Sequence, residues 1–285
     1  MTDTIQRPSS LTQCQLATRS VIWLLLVAAW MLTGGLLTGC AATSGQSANH
    51  SAEPLTESDE PDTRKRARIR ITLASSYFEQ GQDKVALDEV KQALAADPNY
   101  GPAYVLRGLV YMRLNDGQLA EESFRRALQL NAKDGDALHN YGWFMCSQKR
   151  EKEAVELFSR ALANPTYGGQ AKTWMAKGVC EVRVGLAKDA ENSFVRSYQI
   201  DPTNPIAAYN LAALLFKRGE NERAQFYVRR LNATEMANAE TLWLGIKIER
   251  HMKNQVVADQ LAQQLQRRFP KSRELEAYRR GAFYE

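Results

Sequence analysis

Four cysteines and three histidines are the side chains of this 285-residue chain best suited to nucleophilic or metal chemistry. The histidines, His50, His139 and His251, are scattered along it. None stands in an H-x3-H spacing and no Cys-x2-Cys occurs, so the ligand patterns of zinc sites are missing. No G-x-S-x-G and no glycine-rich phosphate loop is present. His139 and Cys146 come nearest to a nucleophile with its base. Seven residues along a helix is two turns, about 10 Å, too far for proton transfer. These spacings predict no catalytic residue, no metal, no small-molecule substrate and no enzyme. Cys40 ends an apolar run, and Cys146 and Cys180 stand 34 residues apart. Both features ask for other chemistry.

Arg7 and Arg19 precede Val21 to Leu32, twelve uncharged and mostly apolar residues. A positive flank, a short apolar core and small residues before a cut are the layout of a secretory signal. A spanning helix wants about 20 apolar residues. Counting Thr33 to Gly39 brings the segment close to that, so a plain transmembrane anchor stays open. Leu37-Thr38-Gly39-Cys40 resembles the bacterial lipobox, in which the cysteine becomes the first mature residue and carries acyl chains. The resemblance implies a leader over residues 1–39 and, on Cys40, a diacylglycerol and an N-acyl chain, with no other cofactor. Ala41 rather than Asp follows, which by the same resemblance implies transfer to the outer membrane, on its periplasmic face. A thiolate is the nucleophile such lipidation needs. Several chains hold a protein far better than one, at about 0.8 kcal/mol per buried CH₂.

Residues 40–62 are rich in Ala, Ser, Thr, Glu and Pro and predict a flexible tether. Arg64, Lys65, Arg66, Arg68 and Arg70 follow. They read either as a patch for anionic headgroups or as the solvated face of a first helix opening at Asp62 or Thr63. The formal net charge of +5 is mild and acidic residues are mixed throughout, which predicts no nucleic-acid partner.

From residue 63 to 285 helix formers dominate, and one pattern recurs every 34 residues. Tyr104, Gly108, Tyr111, Ala120, Phe124 and Ala127 have counterparts in Leu138, Gly142, Met145, Ala154, Phe158 and Ala161. Trp174, Gly178, Ala190 and Phe194 follow after two extra residues, then Ala208, Ala212, Ala224 and Val228. A looser sixth unit holds Leu244 and Gly245 in one phase and Ala258 and Leu265 in another. This is the tetratricopeptide pattern. It predicts an all-α, right-handed superhelical stack of about six helix pairs, with a capping helix near Glu274 to Ala282. The small residues let paired helices approach, and one pair cannot bury its apolar face alone. In unit four Lys177 and Glu181 occupy slots for large apolar residues, which leaves that helix open to rotation.

In such domains the first helices line a concave groove. The positions expected to face it are Val105, Leu109, Met112 and Arg113 in unit two, His139, Trp143 and Cys146 in unit three, and Tyr209 and Phe216 in unit five. Apolar and aromatic residues there suit a protein partner; ordinary core under covering elements is the other reading. Cys146 and Cys180 fall on neighbouring first helices, so they form a disulfide or two buried thiols.

Lipobox, tether and six repeats together resemble the type IV pilus biogenesis lipoproteins, the pilotins of the PilF/PilW type. His139-Asn140-Tyr141-Gly142-Trp143-Phe144-Met145-Cys146, Ala163-Asn164-Pro165-Thr166-Tyr167, Lys177-Gly178-Val179-Cys180 and Leu242 to Glu249 carry the resemblance. It implies an outer-membrane protein, bound to lipid through its acyl anchor, that escorts the pilus secretin and promotes its multimerisation. A scaffold for cell-wall or envelope-assembly enzymes, and an inner-membrane-tethered adaptor, are the rival readings.

Overall fold

Side-chain caps start five of the helices described below, and a left-handed residue stops the first helix of every pair. The computed structural model describes residues 59–283; the leader, Cys40 and most of the expected tether lie outside the described residues. Among the described residues there are thirteen helices and no strand. Six pairs run in order: α1 (Asp62–Glu79) with α2 (Asp83–Ala96), α3 (Gly101–Arg113) with α4 (Gly117–Leu130), and α5 (Gly135–Ser147) with α6 (Glu151–Leu162). Then come α7 (Gln170–Arg183) with α8 (Ala187–Ile200), α9 (Pro205–Lys217) with α10 (Asn221–Asn232), and α11 (Ala239–His251) with α12 (Gln255–Arg268). The last helix, α13 (Arg273–Arg280), lies against α11 and α12.

Side-chain oxygens of Asp116, Asp134, Asn204, Asn238 and Ser272 accept from backbone N–H groups of the turns they open. At the other end of each first helix one residue has φ between 60° and 79°: Gly81, Asn115, Lys149, Gly185, Gly219 and Lys253. Those positions repeat every 34 residues, with the two extra residues falling before Gly185. The sixth pair therefore keeps the later of its two phases. Gly245 stands one residue ahead of the small-residue slot and meets Leu261 and Asn232.

Within the pairs, glycine meets phenylalanine. A Cβ on Gly108, Gly142 or Gly178 would lie 2.6–2.8 Å from the ring of Phe124, Phe158 or Phe194. Each of these rings is fully buried, worth roughly 1.5–3 kcal/mol. Phe124 also reaches the next pair, with ring centroids 5.8 Å from Tyr141 and 5.7 Å from Phe144. Gly178 faces Phe194 as its counterparts face theirs, so α7 is not rotated. Its two charged residues instead pair in the interior: Lys177 Nζ lies 2.5 Å from Glu181 Oε1, and Ser193 donates to Glu181 Oε2 at 2.7 Å. The two extra residues let Tyr167 fold in against Gly135 at the start of α5.

Successive first helices touch: α1 with α3, α3 with α5, α5 with α7, α7 with α9 and α9 with α11. Second helices stand further apart and meet only through side chains, as where Tyr198 of α8 meets Tyr227 of α10 edge-on at 5.0 Å and Arg223 of α10 pairs with Glu191 of α8 at 3.0 Å. The result is a superhelical stack whose inner wall is the row of first helices.

Candidate protein-binding groove

The inner wall is continuous but uneven in what it exposes. Val105 is only 9% exposed and belongs to the core between units two and three. With Ile71, Ser75, Leu109 and Asp136 it floors a shallow cavity of about 270 Å³ between α1, α3 and α5. Leu109 and Met112 are half-buried, packed on the same core. Arg113 is held from behind: its guanidinium pairs with Asp83, donates to the Phe78 carbonyl and lies 3.5 Å above the Phe78 ring. It ties unit two to unit one. Trp143, 37% exposed, is the large apolar side chain that α5 leaves open.

His139 sits beside Trp143 but turns inward, its Nδ1 2.8 Å from Thr173 Oγ1 on α7. Thr173 in turn donates to the Gly169 carbonyl at 2.9 Å, which leaves its oxygen to accept from His139 Nδ1–H. Burial pushes the His139 pKa down to about 4, helped by the Lys172 ammonium and opposed by Asp136. Lys172 and Asp136 themselves form an ion pair at 2.8 Å across α5 and α7. Cys146 is buried in a disulfide with Cys180, Cα atoms 6.0 Å apart, and Arg183 donates to the Cys146 carbonyl at 3.1 Å. The pair His139 and Cys146 thus has no thiolate to activate.

Further along, Tyr209 and Phe216 are half-buried on α9. Burial raises the Tyr209 phenol, and the carboxylates of Glu240 and Glu274 add to it. Phe216 meets His251 edge-on at 5.7 Å. The sixth pair adds residues that the phase slip had hidden. Counted back from Lys253, Trp243, Lys247 and Arg250 occupy the positions of Val105, Leu109 and Met112. Lys247 lies 5.6 Å above Trp243, and Arg250 3.9 Å above Phe283. The wall therefore runs from an acidic-edged apolar cavity in units one to three to an aromatic and basic end in units five and six. Such a surface suits an extended or helical protein segment with apolar anchors.

Comparison with known proteins agrees with this geometry. The tetratricopeptide-repeat family profile matches residues 71–135 and 105–171. The type IV pilus assembly protein PilF of Pseudomonas aeruginosa is 26% identical over 242 residues, covering 85% of this chain and 93% of PilF. The solved structure of Pseudomonas aeruginosa PilF superposes with a TM-score of 0.72 at 25% identity, over 78% of this chain and all of that one. The crystal structure of PilW, a widely conserved type IV pilus biogenesis factor, is 32% identical, with a TM-score of 0.67, and is covered over 97% of its length by 74% of this chain. The chain belongs to the PilF/PilW family. Its tetratricopeptide stack is that of a protein-binding scaffold in type IV pilus biogenesis. Within this PilF/PilW chain the described residues contain no helix long and apolar enough to cross a membrane.

Proposed function

We propose that this PilF/PilW-family protein is a lipid-anchored periplasmic scaffold that assists outer-membrane targeting and multimerisation of the type IV pilus secretin. The observation that carries the reading is the family relationship, 32% identity to PilW over nearly its whole length. Two features support the finer statement. Leu37-Thr38-Gly39-Cys40 has the lipobox form, so Cys40 would carry a diacylglycerol and an N-acyl chain, and Ala41 favours the outer membrane. The inner wall offers Trp143, Tyr209, Phe216 and Trp243 to a polypeptide rather than a closed pocket to a small molecule.

The test is the amount of detergent-resistant secretin multimer in outer-membrane fractions, with and without the gene, and with Cys40→Ser. Loss of multimer on deletion, and a mislocalised multimer with Cys40→Ser, are expected. An unchanged multimer without the gene would transfer the protein to the rival role of scaffold for envelope-assembly enzymes. Mass spectrometry of the mature N-terminus separates both from an inner-membrane-tethered adaptor, which would keep its leader.

A further inference from the structure

Each end of a helical-repeat stack has a face that interior repeats bury against a neighbour. At the C-terminal end α13 covers it, with Leu275 buried and Tyr278 and Phe283 against Trp243. At the N-terminal end nothing among the described residues covers α1. One repeat position makes the contrast plain. Ala103, Ala137, Thr173 and Ala207 are all 0% exposed there, whereas Ile69, their equivalent on α1, is 63% exposed. Leu73, one turn on, is 39% exposed.

Basic groups outnumber acidic ones beside these two aliphatic side chains, Lys65 and Arg66 on their face against the exposed Asp62. Arg64, Arg68 and Arg70 pair with Asp97, Glu60 and Glu89, but the guanidinium sides are 44–45% exposed and the carboxylates only 13–18%. The acids lie beneath and the positive charge points outward. Lys65 and Arg66 make no ion pair among the described residues. Apolar side chains flanked by an excess of arginine and lysine fit an anionic lipid surface, where each basic group adds to headgroup attraction and the aliphatic ones enter the interface. A second copy of the chain would set two positive faces against each other.

We infer that the N-terminal end face of the stack docks on an anionic bilayer, with Ile69 and Leu73 at the headgroup boundary and Lys65, Arg66 and Arg70 on lipid phosphates. The inference rests on the lipid anchor at Cys40 proposed above. Cys40 and Asp62 are 22 residues apart, so α1 stays within about 80 Å of the lipid however the intervening chain runs. That tether holds the face at an effective concentration on the order of millimolar. A contact too weak to recruit a free protein is then sufficient. Docking on this end leaves the inner wall open along its length.

The test uses the full-length lipidated protein in phosphatidylethanolamine–phosphatidylglycerol vesicles and in phosphatidylcholine vesicles. A spin label is placed at Ile69→Cys and, as a reference, at Met236→Cys, an exposed loop position. Flotation with the vesicles reports the anchor separately. The expected result is a label at 69 that gains access to dissolved oxygen and loses access to an aqueous nickel chelate on the anionic vesicles alone. Lys65→Ala with Arg66→Ala should lower the docked-to-free ratio about 30-fold, at about 1 kcal/mol per basic residue. A protein that floats while its label at 69 stays as aqueous as that at 236 overturns the end-face contact and leaves the anchor standing. A protein that does not float removes the anchor and this inference together. Shielding at 69 that is equal on both vesicle types removes anionic headgroups as its cause and also overturns the inference.

Discussion

Gly142 is a place where one atom decides packing. Its missing Cβ leaves room for Phe158, and a Cβ would meet three ring carbons at 2.8–3.1 Å. Gly142→Leu should destabilise by about 1–3 kcal/mol, read as a lower urea midpoint. Gly168→Ala, with nothing near its Cβ, is the control that should change little. These slots were legible in the sequence because glycine and phenylalanine recur sixteen residues apart in three successive units. Exposure in the groove was less legible. A repeat offset says which way a side chain points, not whether the next pair covers it, so Val105 and Cys146 turned out buried while Trp143 is open. Trp243, Lys247 and Arg250 are not legible as groove positions, because Gly245 sits one residue out of phase. His139 supplies a pH-dependent residue-scale effect. Unfolded imidazole titrates near 6.5, and in the fold its pKa is down at about 4. Between those values the unfolded chain binds a proton that the native one does not. The neutral ring's contribution is therefore whole above pH 6.5 and is lost as pH falls toward 4. About 2 kcal/mol should be gone at pH 5. Urea titrations from pH 7 to 4.5 should be flatter for His139→Gln; equal slopes would remove His139 as the cause.

At the scale of helices, turns and buried polar slots set the terms. Lys149 and Lys253 hold the left-handed turn that Gly81, Gly185 and Gly219 hold without strain. Lys149→Gly should raise stability by about 0.5–1 kcal/mol by relieving that strain, visible as a higher Tm; a lower Tm would mean that the turn tolerates lysine fully. The slot of Leu215 in α9 is filled by Glu249 in α11. Its carboxylate is fully buried and accepts from Arg229 at 2.6 and 2.9 Å, Gln225 at 2.8 Å and Asn254 at 2.9 Å. Burial would raise its pKa, but the bonds from Arg229, Asn254 and Gln225 outweigh that and hold it below the usual carboxylate range. Arg229→Ala should cost about 1.5–3 kcal/mol by leaving the carboxylate under-bonded. Glu249→Leu, which copies the preceding unit, should be nearly neutral or stabilising. If both variants lose the same amount in chemical denaturation, the slot needs its charge for more than pairing. The sequence marked Lys177 and Glu181 as departures from the repeat but not Glu249; that Glu181 and Glu249 are satisfied in the interior depends also on Ser193, Gln225 and Arg229, each a helix away.

Across the whole stack, the apolar core is not one body. Among the described residues it falls into four clusters: Ala67 to Val110 at one end, Leu242 to Leu275 at the other, and between them one from Val105 to Cys180 and one that gathers Ala190 to Ile248 with Met175 and Val179 of α7. Helix α7 is the seam between the two central clusters, and the disulfide to α5 crosses beside it. Closing a loop of 34 residues stabilises by about 3–4 kcal/mol in the chain-entropy view. Cys146→Ser with Cys180→Ser should lose that amount, with amide exchange quickening in α5 and α7 well before α1. Uniform quickening would show the seam to be no weaker than its surroundings. The period of 34 made the stack itself readable from sequence, since each unit contacts only its neighbours; the seam was not readable, because it depends on which side of α7 each core residue joins.

That cross-link also bears on how the molecule answers a pull. The backbones of successive first helices come close to one another and those of second helices do not, so the stack behaves as a spring hinged along its inner wall. The sulfur bridge welds two adjacent coils of that spring at the hinge. Stretched end to end by optical tweezers, the oxidised chain should fall short of full contour length by about 120 Å, the span of 34 extended residues. Adding a reductant should release that hidden length in a single step, and a chain that already reaches full contour before reduction would carry no weld.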